Sequence, residues 1–330
     1  MLEGTNVYLI CRRRRISIDH LSIEVKGGEI YGKFMAHGDN YREWETGPFT
    51  LGPVMHDADG KPIGFAGARP ADPFGHALEV VDQLDRYTFI PSCALIARSK
   101  HSLGDRTRLE VLYVGQTWGK QGNRLSVDRL SRHTTLQRIL ADASDESAQD
   151  EILLLGFQYG DSKRMLSSAG SLWVEPSACS DEEQAHFIRA SEQTFCRKDR
   201  ILLAEAALIN HFKPRYNIKH RDSFSRSSRK LKTLQSLLKA DFSALIVEAN
   251  TSNVGAKLWS KHAPCGSMSD YLTPQKIEEM RANVLTQQSE FSRAQFDEWI
   301  NDNTHAHIAR FALYAPEERE TFLYGLPWSS

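Results

Sequence analysis

The chain contains no C-x-x-C pair, and its five cysteines, Cys11, Cys93, Cys179, Cys196 and Cys265, are odd in number and far apart. That spacing argues against a zinc knot and for free thiols in a reducing compartment rather than a disulfide framework. Net charge is equally scarce: 41 Lys and Arg against 42 Asp and Glu leave a formal charge of -1. Many dedicated nucleic-acid binders are strongly basic overall, so any contact with a polyanion must come here from local clusters. No run approaches the roughly 18 uninterrupted apolar residues that span a bilayer, so no membrane helix is expected. The first apolar segment precedes the basic run Arg12 to Arg15, the reverse of the order in a secretory leader. A cytoplasmic protein is the expectation. There is no internal repeat, and Ser223 to Ser228 is the only low-complexity hint.

What is present is ordinary globular material. At 330 residues, 41% hydrophobic and 25% charged, the chain has enough apolar side chain for two or three compact units. Residues 1 to about 85 alternate short apolar runs with turn chemistry: Val7-Tyr-Leu-Ile10, Ile16-Ser-Ile18, then Ile23-Glu-Val25 before Lys26-Gly27-Gly28. Period-two runs punctuated by glycine predict strands and hairpins. Asp59-Gly60 and the Pro/Gly-rich stretch from Gly64 to Gly75 mark further turns. A β-rich N-terminal domain without a catalytic signature is expected over 1–86.

The runs Cys93 to Ala97 and Leu109 to Val114, joined by the basic loop Arg98 to Arg108, predict a hairpin. Leu130, Leu136, Ile139 and Leu140 follow near helical spacing, with Thr134-Thr135 placed to cap a second helix. After an acidic loop with Asp142, Asp145, Glu146 and Asp150, Ile152 to Leu155 predicts a third strand, completing a small α+β unit. Ser180-Asp-Glu-Glu183 fits a capping box opening a helix toward Phe195. Leu202, Leu203, Ala206, Leu208, Ile209 and Phe212 predict a helix over 199–212 that Pro214 ends. Beyond it, strands at 244–247 and 308–313 and helix over 274–300 predict an α/β C-terminal region.

Chemistry-bearing residues concentrate in the middle. Val111-Leu-Tyr-Val-Gly-Gln-Thr117 reads as a buried strand ending in a glycine turn, which puts Tyr113 and Gln116 beside the polar loop Trp118 to Asn123. Arg129 and His133 are four apart and share a face on a helix, with Arg132 beside them. A guanidinium can grip phosphate with two parallel hydrogen bonds; a solvated basic face is the plainer alternative. Glu205 is the one acid on an apolar helical face, where an unpaired carboxylate is costly. It is either an oxygen ligand for a divalent cation or half of a buried salt bridge. Asn217 can satisfy that carboxylate or a backbone group through its amide.

Together these segments resemble the GIY-YIG nuclease superfamily. Tyr113-Val114-Gly115 looks like the YIG half of the signature, and Asp128-Arg129-Leu130-Ser131-Arg132-His133 looks like its arginine helix. Glu205 through Asn217, with its Phe212-Lys213-Pro214-Arg215-Tyr216-Asn217 string, looks like the closing segment. The resemblance covers about residues 90–220. It implies a small three-stranded antiparallel sheet flanked by helices, and metal-dependent hydrolysis of DNA phosphodiester bonds. Glu205 would then hold one Mg²⁺ or Mn²⁺, Arg129 would offset charge gathering on the phosphate, and Asn217 would complete the catalytic set. Tyr113 or His133 would activate water, and both assignments stay open. One feature is missing: the GIY half belongs on the preceding strand, and Ser92 to Ala97 contains no tyrosine.

The expected fold is α+β, with domains over 1–86, 87–220 and 221–330, the last a candidate to pack with the N-terminal region. DNA is the expected partner, met through its backbone by Gln116, Lys120, Arg132, Lys213, Arg215, Arg221, Arg226, Arg229 and Lys230. The run Arg12 to Arg15 either tracks phosphates too or is solvated surface. Flanking regions would set substrate choice and offer a surface to a protein partner. The alternative is a catalytically silent nucleic-acid-binding or protein-interaction module that retains the fold.

Overall fold

Val7, Leu9 and Cys11 alternate with Tyr8 and Ile10 along the first strand, and all five side chains are buried. A strand buried on both faces has to lie inside a covered sheet. In the computed structural model, β1 (Val7–Arg14) is hydrogen-bonded between β11 (Leu109–Gln116) and β12 (Asp150–Phe157), antiparallel to both. The short strand β14 (Leu258–Trp259) adds parallel to the start of β11, giving the order β12-β1-β11-β14. The residues described are 5–37, 44–53, 55–99, 103–116, 133–147, 149–159, 180–218, 237, 242, 244–265, 274–286 and 293–312.

The strand expected at Cys93 to Ala97 is instead part of helix α1 (Ser92–Arg98). A short apolar run without polar alternation does not discriminate strand from helix. Here Pro91, extended at φ -63° and ψ 150°, sets the N-terminus, and two alanines favour the helical state. The hairpin partner of β11 is therefore β1, about a hundred residues upstream.

Between them lies an inserted β module. β2 (Ile16–Ile18), β3 (Glu24–Lys26), β4 (Glu29–His37) and β5 (Trp44–Leu51) form one antiparallel sheet around β4. β6 (Met55–His56) pairs with β7 (Pro62–Ile63), and β8 (Phe65–Pro70), β9 (Ala77–Asp82) and β10 (Tyr87–Pro91) form a meander. Ile16, Ile30, Phe34, Phe49, Leu51, Leu78 and Val80 share a core with Leu95 and Ile96 of α1. The expected boundary between 86 and 87 thus cuts the β9–β10 hairpin, and residues 7–14 belong to the central sheet rather than to the module. Composition could not reveal this, because strands of both units carry the same period-two pattern.

The central sheet is covered on both faces. Val7, Leu9 and Cys11, with Val111, Val114 and Leu155, pack under helix α4 (Arg197–Phe212) through Ile201, Ala204, Leu208, Ile209 and Phe212. The left-handed Lys213 (φ 45°) ends α4, and Pro214 prevents its continuation. Tyr8, Ile10, Leu112, Ile152 and Leu154 face the other way, toward Leu136 and Ile139 of helix α2 (Thr134–Glu146). Helix α3 (Ser180–Glu192) precedes α4 where a capping box was expected.

The C-terminal region is not an independent body. β13 (Ala244–Asn250) pairs antiparallel with β15 (Ala306–Ala312), and Val247, Ala249, Ala256, Leu258 and Ala309 join the core beneath α4. The single helix expected over 274–300 is divided into α5 (Pro274–Thr286) and α6 (Arg293–His305). Gly255, left-handed at φ 57°, lies so close to α1 that an added Cβ would come within 2.8 Å of the Ala97 Cα. This turn locks the inserted module to the C-terminal region.

Candidate functional site

Strand register assembles the site. Tyr8 lies opposite Gly115 and Ile10 opposite Tyr113, so Tyr8 and Tyr113 share one sheet face. A register shift between Ile10 and Cys11, which next pairs with Val111, leaves Leu112 as an extra residue. The two tyrosine rings lie 6.0 Å apart between centroids. Gly115 permits this: a Cβ there would lie 2.6 Å from both Cζ and Oη of Tyr8 and 2.8 Å from Cε1 of Tyr113. The glycine that looked like a turn residue instead makes room for the Tyr8 ring across the strand.

His133 closes the cluster from α2. Its backbone is extended at φ -84° and ψ 105°, so it is the N-cap of α2; the helical face expected to be shared with Arg129 lies outside the described residues. Its Nδ1 accepts the Leu136 amide proton at 3.2 Å. In the neutral ring the proton therefore sits on Nε2, which lies 3.3 Å from the Tyr8 hydroxyl oxygen. His133 is thus a donor to Tyr8 in this arrangement. Its ring stands edge-on to Tyr8 and 5.4 Å from Tyr113 between centroids.

A third segment braces the open edge of β11. The Asn217 side chain accepts from the Val114 amide and donates to the Val114 carbonyl, both at 2.9 Å, while the Tyr216 amide donates to the Leu112 carbonyl. Of the two uses open to Asn217, the backbone one is adopted. Arg215 and Tyr216 reach in the other direction. Arg215 pairs with Glu146, and the Tyr216 hydroxyl donates to Asp142 at 2.6 Å. Burial, then the bond to Asp142, pushes the Tyr216 hydroxyl up to about 12.

Glu205 is half-buried on α4. By helical spacing it shares a stripe with Ile201, Leu208 and Ile209, whose core lies on the sheet face opposite the tyrosines. Among the described residues, no three His, Cys, Asp or Glu side chains gather as a metal cluster. Behind the same helix, His211 and His307 meet with their Nε2 atoms 2.7 Å apart, and burial pulls His211 down to about 4.

Gln116 ends β11, Lys213 is the half-buried cap of α4 and Arg215 stays more than half exposed despite its ion pair. Lys120, Arg129, Arg132, Arg221, Arg226, Arg229 and Lys230 lie outside the described residues. Three arginines of the basic run are held in ion pairs. Arg12 pairs with Glu110 and Glu146 at 2.7 Å, Arg13 with Glu151 at 2.6 Å and Arg14 with Asp150 at 3.0 Å. These pairs cross-link β1 to β11, α2 and β12.

The residue that sequence reasoning missed is Tyr8. Its signal was a tyrosine inside Val7-Tyr-Leu-Ile10, the same embedding as Tyr113 in Val111-Leu-Tyr-Val, but the two strands are separated by the whole inserted module. The chain matches no protein-family model, no curated protein and no solved structure.

Proposed function

We propose that the chain is a metal-dependent DNA endonuclease with a GIY-YIG-like centre assembled from two distant stretches. The observation that carries this reading is Tyr8. The strand hydrogen-bonded to the Tyr113 strand carries a tyrosine on the same face, 3.3 Å from a histidine. On this reading Tyr8 would take the place of the tyrosine that the resemblance requires beside Tyr113, from residues 7–14 rather than 92–97. The three-stranded antiparallel part of the sheet, the helix on each face and the Asn217 brace are consistent with it.

By donor type alone, Glu205 is the carboxylate that would hold one Mg²⁺ or Mn²⁺, since such ions bind through one or two carboxylates and complete their shell with water and phosphate oxygen, but its helix packs on the sheet face behind the tyrosines. When bound, the ion would supply Lewis-acid stabilisation of charge on the phosphate and leaving oxygen. The chain's own groups do the rest. A donor aimed at the Tyr8 oxygen stabilises the phenolate, so once the Tyr8 hydroxyl has released its proton to solvent, the phenolate held by His133 takes a proton from the attacking water. Tyr113 packs beside both rings and orients them. Arg129 is assigned to the phosphate, and DNA contacts fall to the residues named for it, Arg215 among them.

A second reading, a silent nucleic-acid-binding or protein-interaction module, is favoured by one observation: Glu205 belongs to the helix behind the tyrosine face. One experiment separates the two. Wild type, Tyr8→Phe and Glu205→Gln are incubated with plasmid, branched and single-stranded DNA, with Mg²⁺ or Mn²⁺ and with chelator. The nuclease reading expects metal-dependent cleavage by wild type, abolished in Glu205→Gln and reduced by about 10²-fold or more in Tyr8→Phe. Binding without cleavage by wild type would establish the second reading.

A further inference from the structure

We propose that Tyr216 and Arg215 are positioning residues that clasp α2 and so hold His133 against the tyrosine face. The inference rests on the nuclease reading only in its kinetic arm. The segment Arg215 to Asn217 is fastened in two directions. Toward the sheet, the Tyr216 amide bonds Leu112 and the Asn217 amide brackets Val114. Toward the helix, the Tyr216 hydroxyl bonds Asp142 and Arg215 pairs with Glu146.

Asp142 and Glu146 are four residues apart and share a face of α2. Arg138, one turn before Asp142, has its guanidinium 5.9 Å from the Tyr216 ring, and that of Arg215 lies 5.3 Å away on the same ring. The ring therefore has two guanidinium groups over it while its hydroxyl is tied to a carboxylate. Glu146 is further tied to Arg12 of β1.

The apolar hold on this helix is thin. Ile139 is its only fully buried described residue, Leu136 is partly buried and Leu140 faces solvent. The polar clasp thus carries much of the helix's placement. The contact at stake is also close to its limit, because 3.3 Å from His133 Nε2 to the Tyr8 oxygen leaves little room for displacement before the bond is lost. A small shift of α2 on the sheet would break it while leaving the fold in place.

The test uses the full chain labelled with ¹⁵N-histidine, with His133 assigned by its loss in His133→Asn. Wild type is expected to give the pattern of a ring protonated on Nε2. Tyr216→Phe and Asp142→Ala should both perturb the His133 nitrogen signals, whereas Asp142→Asn, which keeps an acceptor oxygen for Tyr216, should stay close to wild type. In cleavage assays the first two variants should lose about 10-fold in kcat with KM within twofold. Thermal unfolding checks that each variant folds, and Arg215→Gln removes the second tie if Tyr216→Phe does not. Unchanged His133 signals in folded Tyr216→Phe and Asp142→Ala would overturn the clasp. Perturbed signals without any wild-type cleavage would uphold the clasp and overturn the nuclease reading instead.

Discussion

Asn217→Ala removes the brace on which the tyrosine strand depends. Asn217 is 6% exposed and Val114 fully buried, and beyond Glu110 no strand among the described residues pairs with the outer edge of β11. The side-chain amide takes the place of a neighbouring strand for one residue. Deleting it loses two hydrogen bonds and strands a buried N–H and a buried C=O. At about 1–3 kcal/mol for each unsatisfied group, the cost is about 2–6 kcal/mol. For a chain of this size that is a fall in melting temperature on the order of 3–9 °C.

Asn217→Asp sharpens the test. A carboxylate still accepts from the Val114 amide but cannot donate to the carbonyl, and it places negative charge against that oxygen. At neutral pH the variant should be at least as unstable as the alanine. On acidification the carboxyl regains a proton and can donate again, so the deficit relative to wild type should shrink as pH falls. Urea unfolding followed by circular dichroism between pH 8 and pH 5 measures both effects. An alanine variant within 1 kcal/mol of wild type, or an aspartate deficit that ignores pH, would refute the assignment of Asn217 as a surrogate strand.

Gly115→Ala should displace the Tyr8 ring, lowering stability by about 1–3 kcal/mol and breaking the His133 contact seen by ¹⁵N spectroscopy. Burial holds His211 down to about 4, below the ordinary histidine value in the unfolded chain. Its contribution is therefore fully present above about pH 6.5 and is lost as pH falls toward 4, by about 2–3 kcal/mol in all. Denaturant unfolding at pH 7, 6 and 5 should show a shallower acid-side slope in His211→Asn than in wild type. The bonds from Arg215 and then Arg12 hold the Glu146 carboxyl below its usual range, so its stabilisation is present above that range and lost below it. Glu146→Gln should flatten this dependence by under about 1 kcal/mol, because the pair is partly exposed to solvent.

The parts of the fold that sequence revealed were those whose determinants are local. Helix α4 was legible because its apolar face and Pro214 lie within one stretch, and β11 because Val111 to Gly115 carries its own pattern. The pairing partner of β11 was not legible. Register depends on which apolar strands meet, and Val7 to Ile10 looks the same whether it pairs with Ile16 or with Val114. Asn217 was identified as an amide awaiting a partner, but only the fold could choose between Glu205 and the Val114 backbone. His133 was found by its spacing from Arg129 and turned out to cap the following helix, a role that histidine rarely advertises in sequence.

Under the proposed nuclease reading, the place where the module is inserted bears on substrate choice. Its two ends leave the sheet side by side, where Arg12 lies opposite Glu110, so folding it in place of a tight turn costs little closure entropy. Tyr8 and Gly115 lie at the other end of the same two strands. Six strand steps separate Tyr8 from Arg14, about 20 Å along the sheet. Variation in the module therefore leaves the aromatic face undisturbed, and the Gly255–Ala97 contact keeps the module from swinging freely. A duplex rises roughly 3.4 Å per base pair. Under the proposed nuclease reading, DNA cut at the tyrosine face would meet the module about six base pairs from the scissile bond, and the module would set where the protein sits rather than how the bond is broken.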